Sequence, residues 1–327
     1  MRILFSCDIH GSEVCFRKFV NALKIYKVDV GILDGDLTGK MLNPIVKQAD
    51  GSYVCDFLGQ REVLKTKEEL QSQEKKLAAM GNYYFYTDSE ELEKLKAEGK
   101  TITGRIDERA TKISLSAGKV DEVFKKSVLE RLDGWVKLAE ERLKGSGIQM
   151  FMAAGNDDIP EMDAILDSST YIINAGDKKV DVKGHEMITL SWANPTPWDT
   201  PRECTEEELE KKIEQLVGQV GDMENAIFNF HVPPYDTMLD QCPKISQNLV
   251  PSTDAVISAG STAVLNAIKK YQPLLGLHGH IHESRGIQKI GRTICLNPGS
   301  EYTESILKGI IITLENNKVK DHMFVSG

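Results

Sequence analysis

The sequence predicts an α/β fold, and three observations carry that prediction. Short apolar runs end in Gly-containing polar clusters, as "RILFSC" does in "DIHG" and "VDVGIL" in "DGDLTGK". Runs of this length bounded by turn residues mark buried strands. Between those two runs Phe16, Phe19, Val20, Leu23 and Ile25 fall at helical spacing, so the chain opens β-α-β, a parallel pair joined by a right-handed crossover. The same grammar then returns in "IQMFMAAGNDD", "AIFNFHVPPYD" and "PLLGLHGHIHE".

The other elements follow in chain order. From 61 to 80 and from 88 to 98 the sequence is rich in Glu, Lys, Gln and Leu and lacks strand signals. Residues 120–144 carry Phe124, Val128, Leu132, Val136, Ala139 and Leu143 at steps of three and four. That is the spacing of a long amphipathic helix, here one arm of a helical hairpin, and "GSG" at 145–147 stops it. The expectation is a single domain over 1–327, with a mostly helical insertion over about 60–145 that serves as a cap or an oligomer contact. Thr205 with Glu208 predicts a capping box for an acidic helix through about residue 220. "TICLNPGSEY" adds a strand, and "GIIITLENNKVKDHMFV" predicts a hairpin turned at Asn316 and Asn317.

At 327 residues, 41% apolar and 27% charged, the chain can bury a substantial core. Its net charge of −9 gives no general grip on a nucleic-acid backbone, which argues against a nuclease and leaves no nucleic-acid partner expected. Small phosphorylated ligands remain open, because a site can be locally cationic in an acidic protein. The cysteines at 7, 15, 55, 204, 242 and 295 form no C-x-x-C pair and read as reduced thiols. The apolar run before Asp8 is too short for a signal-peptide core and no stretch has transmembrane length. The expectation is a cytoplasmic protein without membrane contact.

Three of the seven histidines, His278, His280 and His282, stand at alternate positions of "LHGHIHES". In extended backbone such side chains share a face. A lone histidine is more often a packed or solubilising residue; neutral imidazoles gathered together are the commonest metal ligands. Carboxylates to complete a site stand at other strand ends: Asp8 with His10, Asp36, and Asn156 with Asp157 and Asp158, along with His231. Ligand sites of open α/β sheets form beyond the carboxyl ends of the strands.

In the order D-x-H, G-D, G-N-x-D, H and G-H-x-H, these clusters resemble the calcineurin-like metallophosphoesterase superfamily. The motifs are "DIH" (8–10), "GDLTGK" (35–40), "GNDD" (155–158), "FHVPP" (230–234) and "GHIH" (279–282), with "NPGS" (297–300) as in smaller members. The resemblance covers the frame that carries the motifs and not the insertion. It implies two packed mixed β-sheets flanked by helices, an α/β/β/α sandwich. It also implies two divalent ions: Asp8, His10 and His282 on one, Asn156, His231 and His280 on the other, with Asp36 bridging. His278 is left to packing. Mixed nitrogen and oxygen donors suit Mn, Fe, Zn or Ni better than an all-oxygen cage for Mg or Ca.

The implied activity is metal-dependent hydrolysis of a small phosphorylated substrate, a phosphodiester rather than a phosphomonoester, by a hydroxide bridging the ions. Many members carry His after the Asn of the "GN" motif, where it protonates the leaving group; this chain has Asp157. Relatives lacking that His are often better phosphodiesterases. A carboxyl beside two cations should have a lowered pKa, donate poorly and repel a dianionic monoester. Asn156 and Asp157 are thus the candidate catalytic residues. In "SWANPTPWDTPRE" (191–203), Trp198 reads equally as packing or as a base-stacking lip, with Arg202 as a phosphate contact and Tyr235 lining the same pocket. The rival from another class is a noncatalytic scaffold of the same fold acting in protein–protein interaction. The complete ligand set argues against it, and the insertion, a contact for a homo-oligomer, argues for it.

Overall fold

The two-residue repeat of an extended chain sorts the apolar side chains of residues 2–7 onto two faces. Ile3, Phe5 and Cys7 enter one core and Leu4 another. A strand buried on both faces needs a layer on each, and the fold supplies them. The computed structural model describes residues 1–97, 119–245 and 251–327.

The chain begins β1 (Arg2–Cys7), α1 (Glu13–Ile25), β2 (Val30–Asp34), β3 (Leu42–Lys47), β4 (Tyr53–Phe57), β5 (Gln60–Leu64), α2 (Lys67–Ala79), β6 (Tyr83–Asp88), α3 (Ser89–Ala97) and α4 (Lys119–Leu143). It continues through β7 (Gln149–Ala153), α5 (Met162–Asp167), β8 (Ile172–Asn174), β9 (Lys179–Val182), β10 (His185–Leu190), α6 (Glu206–Val217) and β11 (Ile227–Phe230). Last come β12 (Gln241–Ile245), β13 (Pro251–Ser258), α7 (Thr262–Tyr271), β14 (Leu275–Leu277), β15 (Gly286–Ile290), β16 (Thr293–Asn297), β17 (Lys308–Glu315) and β18 (Lys318–Ser326).

Two six-stranded mixed sheets form the centre, in the orders β18-β17-β1-β2-β7-β8 and β15-β16-β14-β11-β10-β9. In the first, β1, β2, β7 and β8 run parallel; in the second, β16, β14, β11 and β10 do. The sheets face one another across a core of Ile3, Phe5, Ile32 and Phe151 against Met187, Ile227, Leu277 and Leu296. Helices α1, α4 and α5 cover the outer face of the first sheet, and α6 and α7 that of the second. The architecture is the expected α/β/β/α sandwich.

Local signals read from the sequence recur in detail. The Thr205 hydroxyl accepts from the Glu208 amide, and Glu208 reaches back to the Thr205 amide. Asn316 and Asn317 both adopt positive φ, 50° and 56°, as a two-residue hairpin turn requires. All six cysteines are free. Among the described residues no helix is long and apolar enough to cross a membrane. Ile25 is an exception: it is 72% exposed, because nine residues after Phe16 at 100° each it falls on the opposite side of the helix.

The stretch from about 60 to 145 differs from the helix-only pattern. β5 and β6 lie inside it and pair in a four-stranded sheet, β5-β4-β3-β6, with its own core of Ile45, Cys55, Phe57, Leu64 and Leu77. The aromatic run "YYFYTD" forms β6, since aromatic residues fit a pleated, half-buried surface. Helix α4 is not an arm standing off the body. Val128, Leu132, Val136, Ala139 and Leu143 are buried, and the Trp135 ring stacks on Phe16 at 4.5 Å and 3°. Its apolar face is consumed by the first sheet's outer layer. The share of that expectation falling on 98–118 lies outside the described residues.

Candidate metal centre

Five strand ends meet along one edge of the sandwich. The parallel ladder continues past them: the Asp8 amide donates to the Gly35 carbonyl (3.1 Å), Gly35 to Ala153 (2.9 Å) and Gly279 to His231 (2.9 Å). The two sheets are tied at this edge, because the His280 amide donates to both carboxylate oxygens of Asp8, at 3.2 and 3.0 Å. Four of the predicted ligands have left-handed backbone: Asp8 (φ 51°), His10 (38°), Asp36 (47°) and His280 (66°). Each such residue costs of order 1–3 kcal/mol and marks a place where surrounding structure overrides local preference. The motif glycines make room. A Cβ on Gly35 would lie 1.9 Å from His231 Nδ1, on Gly155 2.3 Å from Asp36 Oδ1, and on Gly279 2.4 Å from Asp8 Oδ2.

The structure gathers the sequence-predicted residues into two groups. Asp8, His10 and His282 offer ligand atoms within 4.8 Å of one another, as do Asp36, His231 and His280. Asn156 joins the second group, its Oδ1 at 2.8 Å from His280 Nδ1 and its amide donating to Thr200 Oγ1 at 2.9 Å. Asp36 faces both groups, with Oδ2 3.7 Å from His10 Nε2 and Oδ1 3.4 Å from His231 Nε2. His10, Asp36 and Asp157 form a third such group.

The donors fit divalent ions. Buried polar atoms normally find partners, yet His10 Nδ1 and both ring nitrogens of His231 have none within hydrogen-bond geometry. His10 Nε2 and His282 Nε2 lie 3.0 Å apart. Two nitrogens bound to one ion at ~2.1 Å and near a right angle would be separated by about that distance. Imidazole with carboxylate suits borderline transition metals.

The electrostatics are those of charges confined at close range. Burial alone would raise Asp8, but facing His282 and the charge of His231 outweigh it and bring its pKa to about 2. Burial opposes a charged His231, yet Asp36 and the adjacent Asp34 hold it well above its ordinary value. Burial depresses His280 and His278 to about 4. For Asp157 the sequence led to a lowered pKa; the protein itself pushes it up to about 7, by burial first and then by the Asp36 charge, against the pull of Lys40. The expected lowering belongs to a site that holds two cations, whose charge would act against this burial cost.

Several supporting residues escaped the sequence reading. Asp34, fully buried, accepts from Asn229 Nδ2 at 2.5 Å and lies 3.6 Å from His231 Nδ1, near enough for its charge to act on that ring. The Lys40 ammonium pairs with the Asp157 carboxylate. The Tyr302 ring packs 4.7 Å from His10 and 5.9 Å from His282. Asp158, which the sequence offered as a carboxylate for the site, instead holds the "GDLT" turn, accepting from the amides of Leu37 (2.9 Å) and Thr38 (2.8 Å). In "NPGS", Asn297 donates to the carbonyls of Gly279 and Ile281, and Ser300 Oγ to that of Asp8. His278 is buried against the Phe230 carbonyl at 2.8 Å. Arg202 does not reach for a phosphate: it is buried, donating to the Asp158 carbonyl (3.1 Å) and to both oxygens of Asp163 (3.0 Å each). Trp198 and Tyr235 are each 40% exposed.

Fold and edge geometry together define an α/β/β/α sandwich with an Asp/His cluster able to hold metal at the carboxyl ends of its strands. No family model matches the chain. An uncharacterized protein from Methanocaldococcus jannaschii is 31% identical over 153 residues, 46% of this chain and 64% of that protein. The chain therefore matches less than two thirds of that curated relative's length. One crystal structure aligns over 100% of this chain and 98% of its own at TM-score 0.56 and 14% identity. Another, TT1561 of Thermus thermophilus, aligns over 100% and 97% at TM-score 0.52 and 13% identity. At these identities the likeness is one of fold.

Proposed function

We propose that this chain is a metal-dependent phosphoesterase that holds two divalent ions and acts on a small phosphodiester in preference to a phosphomonoester. The observation that carries the proposal is the pair of Asp/His groups at one edge with Asp36 facing both, built on strained backbone with unpartnered buried nitrogens. Asp8, His10 and His282 would hold one ion and Asn156, His231 and His280 the other, with Asp36 facing both. Ions bound there supply Lewis acidity to a phosphoryl oxygen and acidify water near neutral pH. The protein's part is to fix that geometry: Asp34 orients His231, Thr200 fixes the Asn156 amide, and the Asp157 amide donates to Asp36 Oδ1 at 3.0 Å. Two divalent cations against the carboxylates of Asp8 and Asp36 leave the edge cationic in an acidic protein, which favours phosphate.

The diester preference rests on the residue after Asn156. No imidazole stands there; the Asp157 carboxylate is tied to Lys40, and two ions held beside it would pull its pKa back down, so the leaving group would depart without a ready proton donor. General acids typically contribute ~10²–10⁴-fold, a loss that falls hardest on esters with basic leaving groups. The test is to strip the protein of metal, reload it separately with Mn, Fe, Zn, Ni and Mg, and assay chromogenic diesters and monoesters. Turnover with a transition metal, faster on the diester, is expected. Metal uptake without hydrolysis of either ester would overturn the enzymatic reading in favour of a scaffold.

A further inference from the structure

We infer that the Tyr302 hydroxyl contacts the substrate at this centre, donating a hydrogen bond to the oxygen that departs from phosphorus. The inference rests on the phosphoesterase reading and goes beyond it, because Tyr302 belongs to neither ligand group.

Tyr302 is held firmly on the loop that follows "NPGS". Before it, the Ser300 hydroxyl donates to the Asp8 carbonyl at 2.6 Å. After it, Ser305 turns the chain at a φ of 58°, its amide donating to the Tyr302 carbonyl at 2.9 Å and its hydroxyl to the Ala79 carbonyl at 3.1 Å. Lys18 Nζ donates to the Ser305 carbonyl at 2.8 Å. The Tyr302 ring is half-buried and lies 4.7 Å from the ring of His10 and 5.9 Å from that of His282. Its pKa is raised, by burial first, and Lys40, Asp157, Asp36 and Asp8 also act on it, which sets the hydroxyl among the charges of the edge. On the side of its neighbours Glu301 and Thr303 a cavity of about 520 Å³, lined also by His282, Arg285, Ser300 and Lys308, gives room for a departing alcohol.

Other side-chain donors at this edge are committed. The imidazoles of both groups go to ions in the reading above. The Asn156 amide is spent on Thr200, the Thr38 hydroxyl on Asp158 and the Lys40 ammonium on Asp157. Among the described residues the Tyr302 hydroxyl has no hydrogen-bond partner, and a phenol is neutral at pH 7 and able to donate. As the phosphorus–oxygen bond breaks, its electron pair stays on the leaving oxygen, so negative charge grows there on the way to the transition state. A donor aimed at that oxygen speeds the reaction, whereas one on an oxygen of unchanged charge only tightens binding. The phenol keeps its proton and water supplies the one that completes the alcohol, so this hydrogen bond does not replace the acid missing after Asn156.

Tyr302→Phe keeps the ring and its packing and removes only the oxygen. Wild type and variant are reloaded with the same metal, matched by elemental analysis and thermal melting, and assayed on methyl phosphodiesters whose leaving groups run from nitrophenol through phenol to a simple alkanol. Vanadate, which offers a five-coordinate centre with an apical oxygen, and inorganic phosphate are titrated calorimetrically. Tyr302→Phe should keep its metal and melting temperature and lose little on the nitrophenyl ester. On the poorest leaving group it should lose about 10- to 100-fold in kcat/KM, the worth of a hydrogen bond to a charged oxygen. Vanadate should bind more weakly by a similar factor, with phosphate affinity within about twofold of wild type. An equal loss on every ester, no loss on any, or unchanged vanadate affinity overturns the contact with the departing oxygen and leaves the phosphoesterase reading standing. Loss of metal in Tyr302→Phe makes the hydroxyl a structural support of His10 and overturns the contact as well. Metal-replete wild type that hydrolyses no ester overturns both readings.

Discussion

Asp34 has no solvent exposure, and its pKa is pushed up to about 6, by burial first, against the pull of His231 and Asn229. A carboxylate is kept in such a place only if a neighbour uses its charge, and the neighbour is the ring of His231. Outer carboxylates on ligating histidines typically contribute 10- to 100-fold in metal affinity. Asp34→Asn, nearly isosteric, should therefore weaken the ion at His231, Asp36 and His280 by about that factor while disturbing the other ion less. Competition against a chromogenic chelator reads this out; two unchanged affinities would show that Asp34 is only a packing residue. The residues that gather at the edge were legible because each stands in a short contiguous motif at a strand end. Asp34, Lys40 and Tyr302 were not, although "GILDGDLTGK" contains two of them. Their roles arise from partners on other loops, Asp34 with His231, Lys40 with Asp157 and Tyr302 with His10, and adjacency across loops is a product of the fold.

Helix α4 shows how an element can be recognised and misplaced. Its spacing gave the buried stripe correctly, down to Leu132, Val136 and Leu143, but periodicity does not say which surface a stripe covers. The covering surface is α1 and the first sheet, through Phe16 on Trp135 and the Trp135 indole donating to Glu13 at 2.5 Å. Trp135→Ala should thus cost about 3–5 kcal/mol of global stability, the range for a buried aromatic, measured by urea unfolding. For the same reason, excising 61–144 should abolish cooperative folding rather than leave a metal-binding core. A loss under about 0.5 kcal/mol for Trp135→Ala, typical of surface sites, would show that α4 is dispensable. Strands that end in motifs were readable, since the motif supplies the boundary. β3, β4, β5 and β6 were not, because they are short, half-buried and framed by ordinary polar residues. β10, "HEMITL", is a buried strand without a ligand at its end.

Across the whole molecule, a net charge of −9 coexists with an edge able to hold cations, because two carboxylates, Asp8 and Asp36, are brought together with histidines at the ends of β1 and β2. Both sheets contribute candidate ligands: the first Asp8, His10, Asp36 and Asn156, the second His231, His280 and His282, and the His280 amide on Asp8 is the stitch between them. Whether this edge holds two divalent ions that share Asp36 is read out by elemental analysis of wild type beside Asp36→Asn. Wild type should carry two ions per chain and Asp36→Asn should have lowered occupancy of both, with His282→Ala mainly emptying one. A single tightly bound ion in wild type, unchanged in Asp36→Asn, would contradict the two-ion reading.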